Sequence, residues 1–411
     1  MSKCSTPIPI FDTAKYIGEQ KLPLDIADRL YTKKDFDVMR EFLIQYQGSQ
    51  DTFNAYRREL ERLTQWAWLV ANKSILDLGH KDIEKFIEFC QSPPASWVGL
   101  KKTARFIDKS GERLPNPDWR LFVVTIKKSA VKQGMRPKKE NYELSQKALQ
   151  ALFSSLSSFY NYLMRGDLKE NNPIAQIRQK SRFLRKKQGK RQIRRLTTAQ
   201  WDHVIKTAKS LAEKDPSRHE RTLFIMTILY LLYLRVSELA ASYRWEPKMG
   251  DFYQDSQGRW WFKTVGKGNK ERDISVGDSM LDALKRYRES RNLTPTLPAP
   301  GETEPLIHKL IGKGPVSSTR EIRYVVQNCF DAAIASLMND NLEDDAIALT
   351  EATVHWLRHT GISDDINKFG RPISHVRDDA GHSSSATTDL YNDSELQARH
   401  ASARKKVLDN S

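Results

Sequence analysis

The sequence has little cysteine and no long hydrophobic run, and both features limit what the chain can be. Its 411 residues include three cysteines, Cys4, Cys90 and Cys329, which are too scattered for a disulfide framework or a zinc cluster. They favour a reducing compartment. The longest apolar run, Leu223 to Leu234, is about half the length of a bilayer span and predicts a buried helix. No signal-like apolar run lies near the first residue, so we expect a cytoplasmic protein.

Negative charge is outnumbered by positive charge. The formal net charge is +16, from 67 Lys and Arg against 51 Asp and Glu. Such an excess repels itself in a folded chain, and a polyanion such as DNA is the usual compensating partner. A basic soluble protein without such a partner is the alternative that charge alone leaves open.

One segment lacks acidic residues altogether. No Asp or Glu falls between Glu170 and Asp202, and ten of the eighteen positions in 178–195 are basic. These are Arg178, Lys180, Arg182, Arg185, Lys186, Lys187, Lys190, Arg191, Arg194 and Arg195. Like charges repel, so the segment should be extended when free. It is either a solvated linker or a strap that neutralises DNA phosphates, and we favour the strap.

This basic segment is the expected boundary between two domains. Before it, we expect a loosely structured N-terminal arm over 1–34 and a helical domain over 35–177. Apolar residues at three- and four-residue spacings, such as Phe53, Leu60 and Leu63, predict the helices. Prolines and glycines mark a loop-rich insertion at 92–140, anchored by three aromatic residues, Trp97, Trp119 and Phe122.

The C-terminal half mixes helix and strand. Alternating residues in MGDFYQDSQGRWWFKTVGKGNKERDISV predict three short antiparallel strands, with turns at Gly258 and at GKGN. The flanking segments have helical spacing. The expected fold is therefore mainly α with one small antiparallel sheet in a domain over 196–395, followed by a tail over 396–411.

Late in the chain stand the residue types that cleave a phosphodiester without a metal: a nucleophile, cations for the phosphate oxygens and a proton donor. They occur in the segments YLRVSEL (Arg235, Glu238), GKGNKER (Lys267), VHWLRHTG (His355, Arg358) and AGHSSSATTDLY (His382, Tyr391). Arg235 and Glu238 would share a helical face. Lys267 would lie at a hairpin tip. Thr350 is the expected cap of the histidine helix, and Gly361 its expected end.

Each segment also has a simpler interpretation. An RxxE pair is usually a surface ion pair, and a second GKG turn around Lys313 shows how common that pattern is. His355 and His359 could suggest a metal site, but no HExxH pattern accompanies them. A tyrosine near a helix is most often a core residue.

Taken together, however, the segments resemble the catalytic domain of the tyrosine site-specific recombinases, or phage integrases. That family's signature is Arg, a hairpin Lys, His-x-x-Arg, Gly-His, and Tyr nine residues after that histidine. This sequence departs from it at Tyr233, where the family usually has glycine, and at Ala380, where it usually has leucine. Both are packing positions, so we expect local repacking.

The resemblance implies roles for these residues. Tyr391 would be the nucleophile, Arg235, Arg358 and His382 would bind the phosphate, and Lys267 would protonate the leaving oxygen. His355 would take the tyrosine proton or hold the phosphate, and Glu238 would orient its neighbours. No metal or other cofactor is needed.

The resemblance also implies partners, and two other functions compete with the one it implies. Two domains would clamp double-stranded DNA, and a homotetramer would pair two recombination sites near the bacterial nucleoid. Accessory proteins would be compatible with this arrangement. A type IB topoisomerase and a non-catalytic DNA-binding regulator are the competing functions.

Overall fold

The computed structural model describes residues 6–22, 31–109, 111–126, 130–131, 134–180, 183, 194–266, 268–392, 400–401 and 403. The chain divides into two compact units, residues 1–188 and 189–411, and the division falls inside the basic segment. Within the described residues, no helix has both the length and the apolar character to cross a membrane.

The N-terminal unit is built mainly from helices. They are α1 (Thr32–Ile44), α2 (Gln50–Trp66), α3 (His80–Gln91), α4 (Gln146–Arg165) and α5 (Pro173–Lys180). The apolar spacing noted in α2 is confirmed, because Phe53, Leu60 and Leu63 are all buried. Helix α4 ends at Arg165, and Pro173 begins α5, where its missing N–H costs nothing.

The insertion at 92–140 carries four short strands. They are β1 (Val98–Gly99), β2 (Phe106–Lys109), β3 (Glu112–Pro115) and β4 (Phe122–Val123). The first pairs with the last in parallel, and the middle two form an antiparallel hairpin. Trp97, Trp119 and Phe122 are buried in the core of the unit, as expected of anchors.

The described part of the N-terminal arm is not loosely structured. Ile10, Phe11 and Ile17 are fully buried in the same core as the helices. The main-chain N–H groups of Ile10 and Phe11 donate to a carboxylate oxygen of Glu61 at 3.0 and 2.7 Å. A buried carboxylate that satisfies main-chain donors leaves no periodic pattern in the sequence, which explains why the expectation was wrong.

The C-terminal unit surrounds a separate core. Its helices are α6 (Thr198–Lys214), α7 (Pro216–Leu231), α8 (Val236–Leu239), α9 (Asp278–Ser290), α10 (Thr319–Asn339), α11 (Glu343–Leu349), α12 (Val354–Asn367), α13 (Ile373–Ala380) and α14 (Ser385–Asp389). The predicted three strands are β5 (Phe252–Gln254), β6 (Trp260–Val265) and β7 (Glu271–Ser275), in an antiparallel sheet of that order. The expected mainly α fold with a small antiparallel sheet in this unit is confirmed.

Much of the basic segment lies outside the described residues. This applies to Arg182, Arg185, Lys186, Lys187, Lys190 and Arg191. Arg178 and Lys180 stand in the last turn of α5, and Arg194 and Arg195 precede α6. Most of the tail over 396–411 is likewise outside the described part of the chain.

Candidate active site

Helix α12 supplies three of the side chains at the site. It begins after Thr353, not at a Thr350 cap, and runs to Asn367, so Gly361 lies inside it and does not end it. A Cβ atom at Gly361 would collide with the main-chain carbonyl oxygen of Tyr230, in α7. The glycine therefore lets two helices approach closely, and this contact positions the whole of α12.

Arg358 projects from α12 into the protein, with only 2% of its surface exposed. Its guanidinium donates to the main-chain carbonyls of Tyr233 and of Ala380, the latter at 2.5 Å, and lies 3.1 Å from Nε2 of His382. Burial and the nearby charge of Arg235 lower the pKa of Arg358 to about 9, so it remains protonated at neutral pH.

The position of His382 determines which of its ring nitrogens carries the proton. Because the Arg358 guanidinium can only donate, Nε2 accepts, and Nδ1 donates to the hydroxyl of Thr388 at 2.9 Å. Burial and the charges of Arg358 and Arg235 lower the pKa of His382 to about 4. The ring is therefore neutral at physiological pH.

Arg235 and Glu238 interact as expected, though not on a helical face. Arg235 precedes α8, and its main-chain N–H donates to Glu238 Oε2 at 2.8 Å while its guanidinium donates to Oε1 at 3.0 Å. Arg272, in β7, donates both terminal nitrogens to the same carboxylate at 2.9 and 2.8 Å. The sequence interpretation missed Arg272, although it belongs to the quoted GKGNKER segment.

The carboxylate of Glu238 is almost completely buried, with 1% of its surface exposed. Burial opposes its ionisation, but the hydrogen bonds and charges of Arg272 and Arg235 outweigh that effect and lower its pKa. A Cβ atom at Gly266 would come within 2.8 Å of Arg272 and 3.2 Å of Glu238, so the glycine leaves room for this pair.

Lys267 itself lies outside the described residues, but the turn around it is described. Gly266 donates its N–H to the carbonyl of Lys270 at 2.8 Å, which closes the β6–β7 hairpin. Gly268 and Asn269 have φ values of 80° and 59°. The expected hairpin is therefore present, with two left-handed residues following Lys267.

Tyr391 follows the last turn of α14 and is not part of a helix. Its side chain is 4% exposed, and its hydroxyl forms a hydrogen bond with Nδ1 of His359. Asn367 donates to its main-chain carbonyl at 2.7 Å. The ring of His382 lies nearly parallel to the tyrosine ring, with centroids 6.2 Å apart.

His355 stands on the solvent side of this cluster, one turn before His359. The two histidine rings meet edge to face with centroids 4.4 Å apart. Partial burial and the charges of Arg358 and Arg235 lower the pKa of His355. Among the described residues, no group of three or more His, Cys, Asp or Glu side chains is placed to hold a metal ion.

A family model matches the part of the chain that contains this site. Residues 194–398, about half of the chain, match the family model described as the phage integrase family. The chain belongs to the phage integrase family. This is the family of the tyrosine recombinases, whose members cleave and rejoin DNA.

Among curated members, tyrosine recombinase XerC of Leptospira interrogans (serovar copenhageni) is 26% identical over 252 residues, covering 61% of this chain and 69% of the relative. Tyrosine recombinase XerC of Alcanivorax borkumensis is 27% identical over 256 residues, covering 62% and 71%.

Solved structures share the fold. The integrase of transposon Tn1549, in complex with a circular intermediate DNA, matches with a TM-score of 0.51 at 13% identity, over 89% of this chain and 98% of that one. A lambda integrase tetramer bound to a Holliday junction matches with a TM-score of 0.50 at 13% identity, over 93% and 84%.

The two departures of this tyrosine recombinase from the family signature are both accommodated. Tyr233 has a φ of 49°, a conformation that glycine adopts without strain. Its buried hydroxyl donates to Asp365 and accepts from Arg371 at 2.9 Å, which compensates for that backbone conformation. Ala380 is fully buried in the small apolar cluster that also contains Tyr233 and Tyr391.

The end of the basic segment is attached to α12. Arg195 donates to the hydroxyl of Ser363, and the N–H of Leu196 donates to the hydroxyl of Thr360 at 3.0 Å. Arg194 is exposed. The side chain of Arg195, expected to contact DNA, is thus engaged with the recombinase itself.

Proposed function

We propose that this tyrosine recombinase cleaves and rejoins specific double-stranded DNA sites, with Tyr391 as the nucleophile. The observation that carries the proposal is the convergence of Tyr391, Arg358 and His382 on one site, built from α12, α13 and the chain around α14. We further propose that its reactions integrate or excise a mobile element, in keeping with the phage integrase family model.

The chemistry is a pair of transesterifications. The Tyr391 oxygen attacks the scissile phosphate, forms a 3′-phosphotyrosyl bond and releases a 5′-hydroxyl. A 5′-hydroxyl from another strand then reverses the step, because the phosphotyrosyl bond retains the energy of the phosphodiester. Arg235 and Arg358 donate to the non-bridging oxygens, where negative charge builds up in the transition state.

The remaining groups assist the phosphate and the leaving group. Lys267, carried by the hairpin, protonates the 5′ oxygen. The donor-only guanidinium of Arg358 fixes the tautomer of His382, whose Nδ1 donates to Thr388, and His382 in turn orients Arg358 beside the phosphate. His355 binds the phosphate from the solvent side. Glu238 does not touch DNA: it fixes Arg235 through the buried ion pair that also includes Arg272.

Partners follow from this chemistry. Two recombination sites are exchanged by four protomers, so we propose a homotetramer on DNA, with the two units clamping each duplex and residues 178–195 crossing its phosphates. The net charge of +16 supports a polyanionic partner. Since the curated relatives come from bacteria, we propose that the reaction takes place in a bacterial cytoplasm.

Removal of one oxygen atom tests the nucleophile. Tyr391→Phe should bind DNA as the wild type does and form no covalent adduct. The substrate is a library of duplexes from the DNA flanking the gene, with protein–DNA junctions trapped by denaturant and sequenced. Tyr324→Phe, which alters an exposed tyrosine of α10, is the matched control and should retain the adduct. An adduct that persists in Tyr391→Phe would refute the assignment.

A further inference from the structure

His359 is a histidine for which the catalytic scheme above has no role. It lies one residue after Arg358 on α12, and Nδ1 of its ring forms a hydrogen bond with the Tyr391 hydroxyl. The two rings are inclined by 33° with centroids 5.6 Å apart. His359 is therefore in direct contact with the atom that has to attack the phosphate.

We propose that His359 is a catalytic residue: its Nδ1 holds the Tyr391 hydroxyl and accepts its proton during attack on the DNA phosphate. The proposal rests on the proposed function and deepens it. In the neutral ring the hydroxyl donates to Nδ1, which leaves the second ring nitrogen protonated. A general base must lie within hydrogen-bond reach of the proton it abstracts, and His359 does.

The step balances. The Tyr391 oxygen forms its bond to phosphorus as its proton moves to Nδ1, which makes His359 an imidazolium, and the bond from phosphorus to the 5′ oxygen breaks. The 5′ oxygen takes its proton from Lys267. In rejoining, the incoming 5′-hydroxyl returns a proton to Lys267, and the imidazolium returns its proton to the tyrosine oxygen.

The two histidines of α12 have different surroundings, and these suit them to different roles. His355 is exposed and beside the arginines, a position suited to a phosphate oxygen arriving from solvent. His359 is half-buried behind it and faces Tyr391. The edge-to-face contact between the rings, at 4.4 Å, holds His359 in place.

Two substitutions of His359 distinguish a residue that only accepts a hydrogen bond from the Tyr391 hydroxyl from one that also accepts its proton. In His359→Asn the amide oxygen stands close to the position of Nδ1, so it accepts the hydrogen bond but does not take a proton. His359→Ala removes both capacities. General-base contributions are on the order of 100- to 10,000-fold. We therefore expect both variants to form the adduct at least about 100-fold more slowly than wild type.

The assay is single-turnover adduct formation on a nicked duplex carrying a mapped junction. His203→Asn, a histidine of α6 that lies 3.7 Å from Asp340, is the matched control and should react as wild type does. Thermal unfolding and duplex binding verify that each variant is folded. If His359→Asn unfolds, His359→Ala is compared with the control alone, and a near wild-type rate in that variant would then overturn the proposal.

A second measurement uses the acidity of the nucleophile. A fluorinated tyrosine at position 391 loses its proton more readily, so it should reduce the defect of His359→Asn if proton transfer is what was lost. A near wild-type rate in His359→Asn would mean that the histidine only holds the hydroxyl. A faster rate in His359→Ala would mean that it restrains the nucleophile. Either result overturns the proposal, whereas a wild type without an adduct would overturn the proposed function.

Discussion

Arg358 donates a hydrogen bond to the main-chain carbonyl of Tyr233, a residue held at a φ of 49°. The same guanidinium donates to the carbonyl of Ala380. One buried side chain on α12 thus joins the chain just before Arg235 to the chain just before His382. The groups proposed to surround the phosphate come from distant parts of the sequence, and Arg358 connects two of these parts.

If Arg358 both bonds these two carbonyls and binds the phosphate, even a substitution that keeps its charge should severely slow adduct formation. A lysine ammonium lacks the planar fork of arginine and cannot satisfy both carbonyls and a phosphate. Arg358→Lys and Arg358→Ala should each lose about 100- to 1000-fold in the rate of adduct formation, while duplex binding falls far less. Arg259→Lys, at an exposed surface ion pair, is the control. Cleavage by Arg358→Lys at the wild-type rate would contradict this role.

The Glu238 carboxylate predicts a pH dependence of stability. Its pKa is lowered in the folded state, so its contribution is present above its ordinary pKa of about 4.5 and is lost as the pH falls below that value. Glu238→Gln should unfold more easily than wild type at pH 7, because Arg235 and Arg272 lose their shared partner.

Urea unfolding at pH 7 and at pH 4 measures both effects. The difference in the free energy of unfolding between Glu238→Gln and wild type should narrow at pH 4, because Glu238 there begins to bind a proton in the unfolded chain while its lowered pKa keeps it ionised in the folded chain. Glu271→Gln, in an exposed pair with Lys263, should leave the free energy of unfolding nearly unchanged at pH 7. A gap that does not change with pH would show that the charge of Glu238 is not what stabilises the unit.

At Gly361 we expect a Gly→Ala substitution to destabilise the protein, although the same substitution inside a helix usually stabilises it. Gly→Ala inside a helix usually stabilises a protein by roughly 0.5–1 kcal/mol. Here the added methyl group would meet the Tyr230 carbonyl, and forcing helices apart typically costs about 1–3 kcal/mol. Gly361→Ala should therefore lower the melting temperature and slow adduct formation as α12 shifts.

Gly277 provides the matched glycine in the same unit. It precedes α9, its φ is −90°, and a Cβ atom there would meet nothing within 4 Å. Gly277→Ala should leave adduct formation unchanged, and its effect on stability should stay below about 1 kcal/mol. If Gly361→Ala proves as stable and active as Gly277→Ala, the close approach of α12 and α7 is not needed.

Those parts of the fold that leave a periodic pattern or a turn motif in the sequence were predicted from it. Buried faces of helices such as α2, the three strands and the hairpin around Lys267 all follow from spacing and turn residues. The interpretation of Gly361 as a helix end was wrong, because glycine allows close packing as readily as it ends a helix, and only the neighbouring helix distinguishes the two.

The site was predicted from residue types in order along the chain, but pairings between distant segments could not be. In the sequence Arg272 is only one more basic residue near a turn. Its pairing with Glu238 becomes visible only in the structure, where β7 brings the two side chains together. Likewise, the i, i+4 spacing of His355 and His359 does not show which ring will face Tyr391. That depends on where the chain after α14 returns to α12.

The basic segment yields a prediction about salt. If residues 178–195 form a strap across the DNA backbone, each cation that contacts a phosphate contributes about 0.9 to the slope of log affinity against log salt concentration. Replacing Arg185, Lys186, Lys187, Lys190 and Arg191 with serine should then flatten that slope by up to roughly 4. Affinity should fall for cognate and unrelated duplexes alike, because phosphates carry no sequence information.

Site preference should survive these substitutions, since bases would be read by the two units that flank the segment. The control keeps the charge: exchanging the same five residues between lysine and arginine should preserve the salt slope. Arg195 is left unchanged because its side chain is bonded to Ser363 within the C-terminal unit. Titration of a labelled duplex at several salt concentrations measures the slope. A solvated linker would leave it unchanged, and an unchanged slope in the serine variant would therefore exclude the strap.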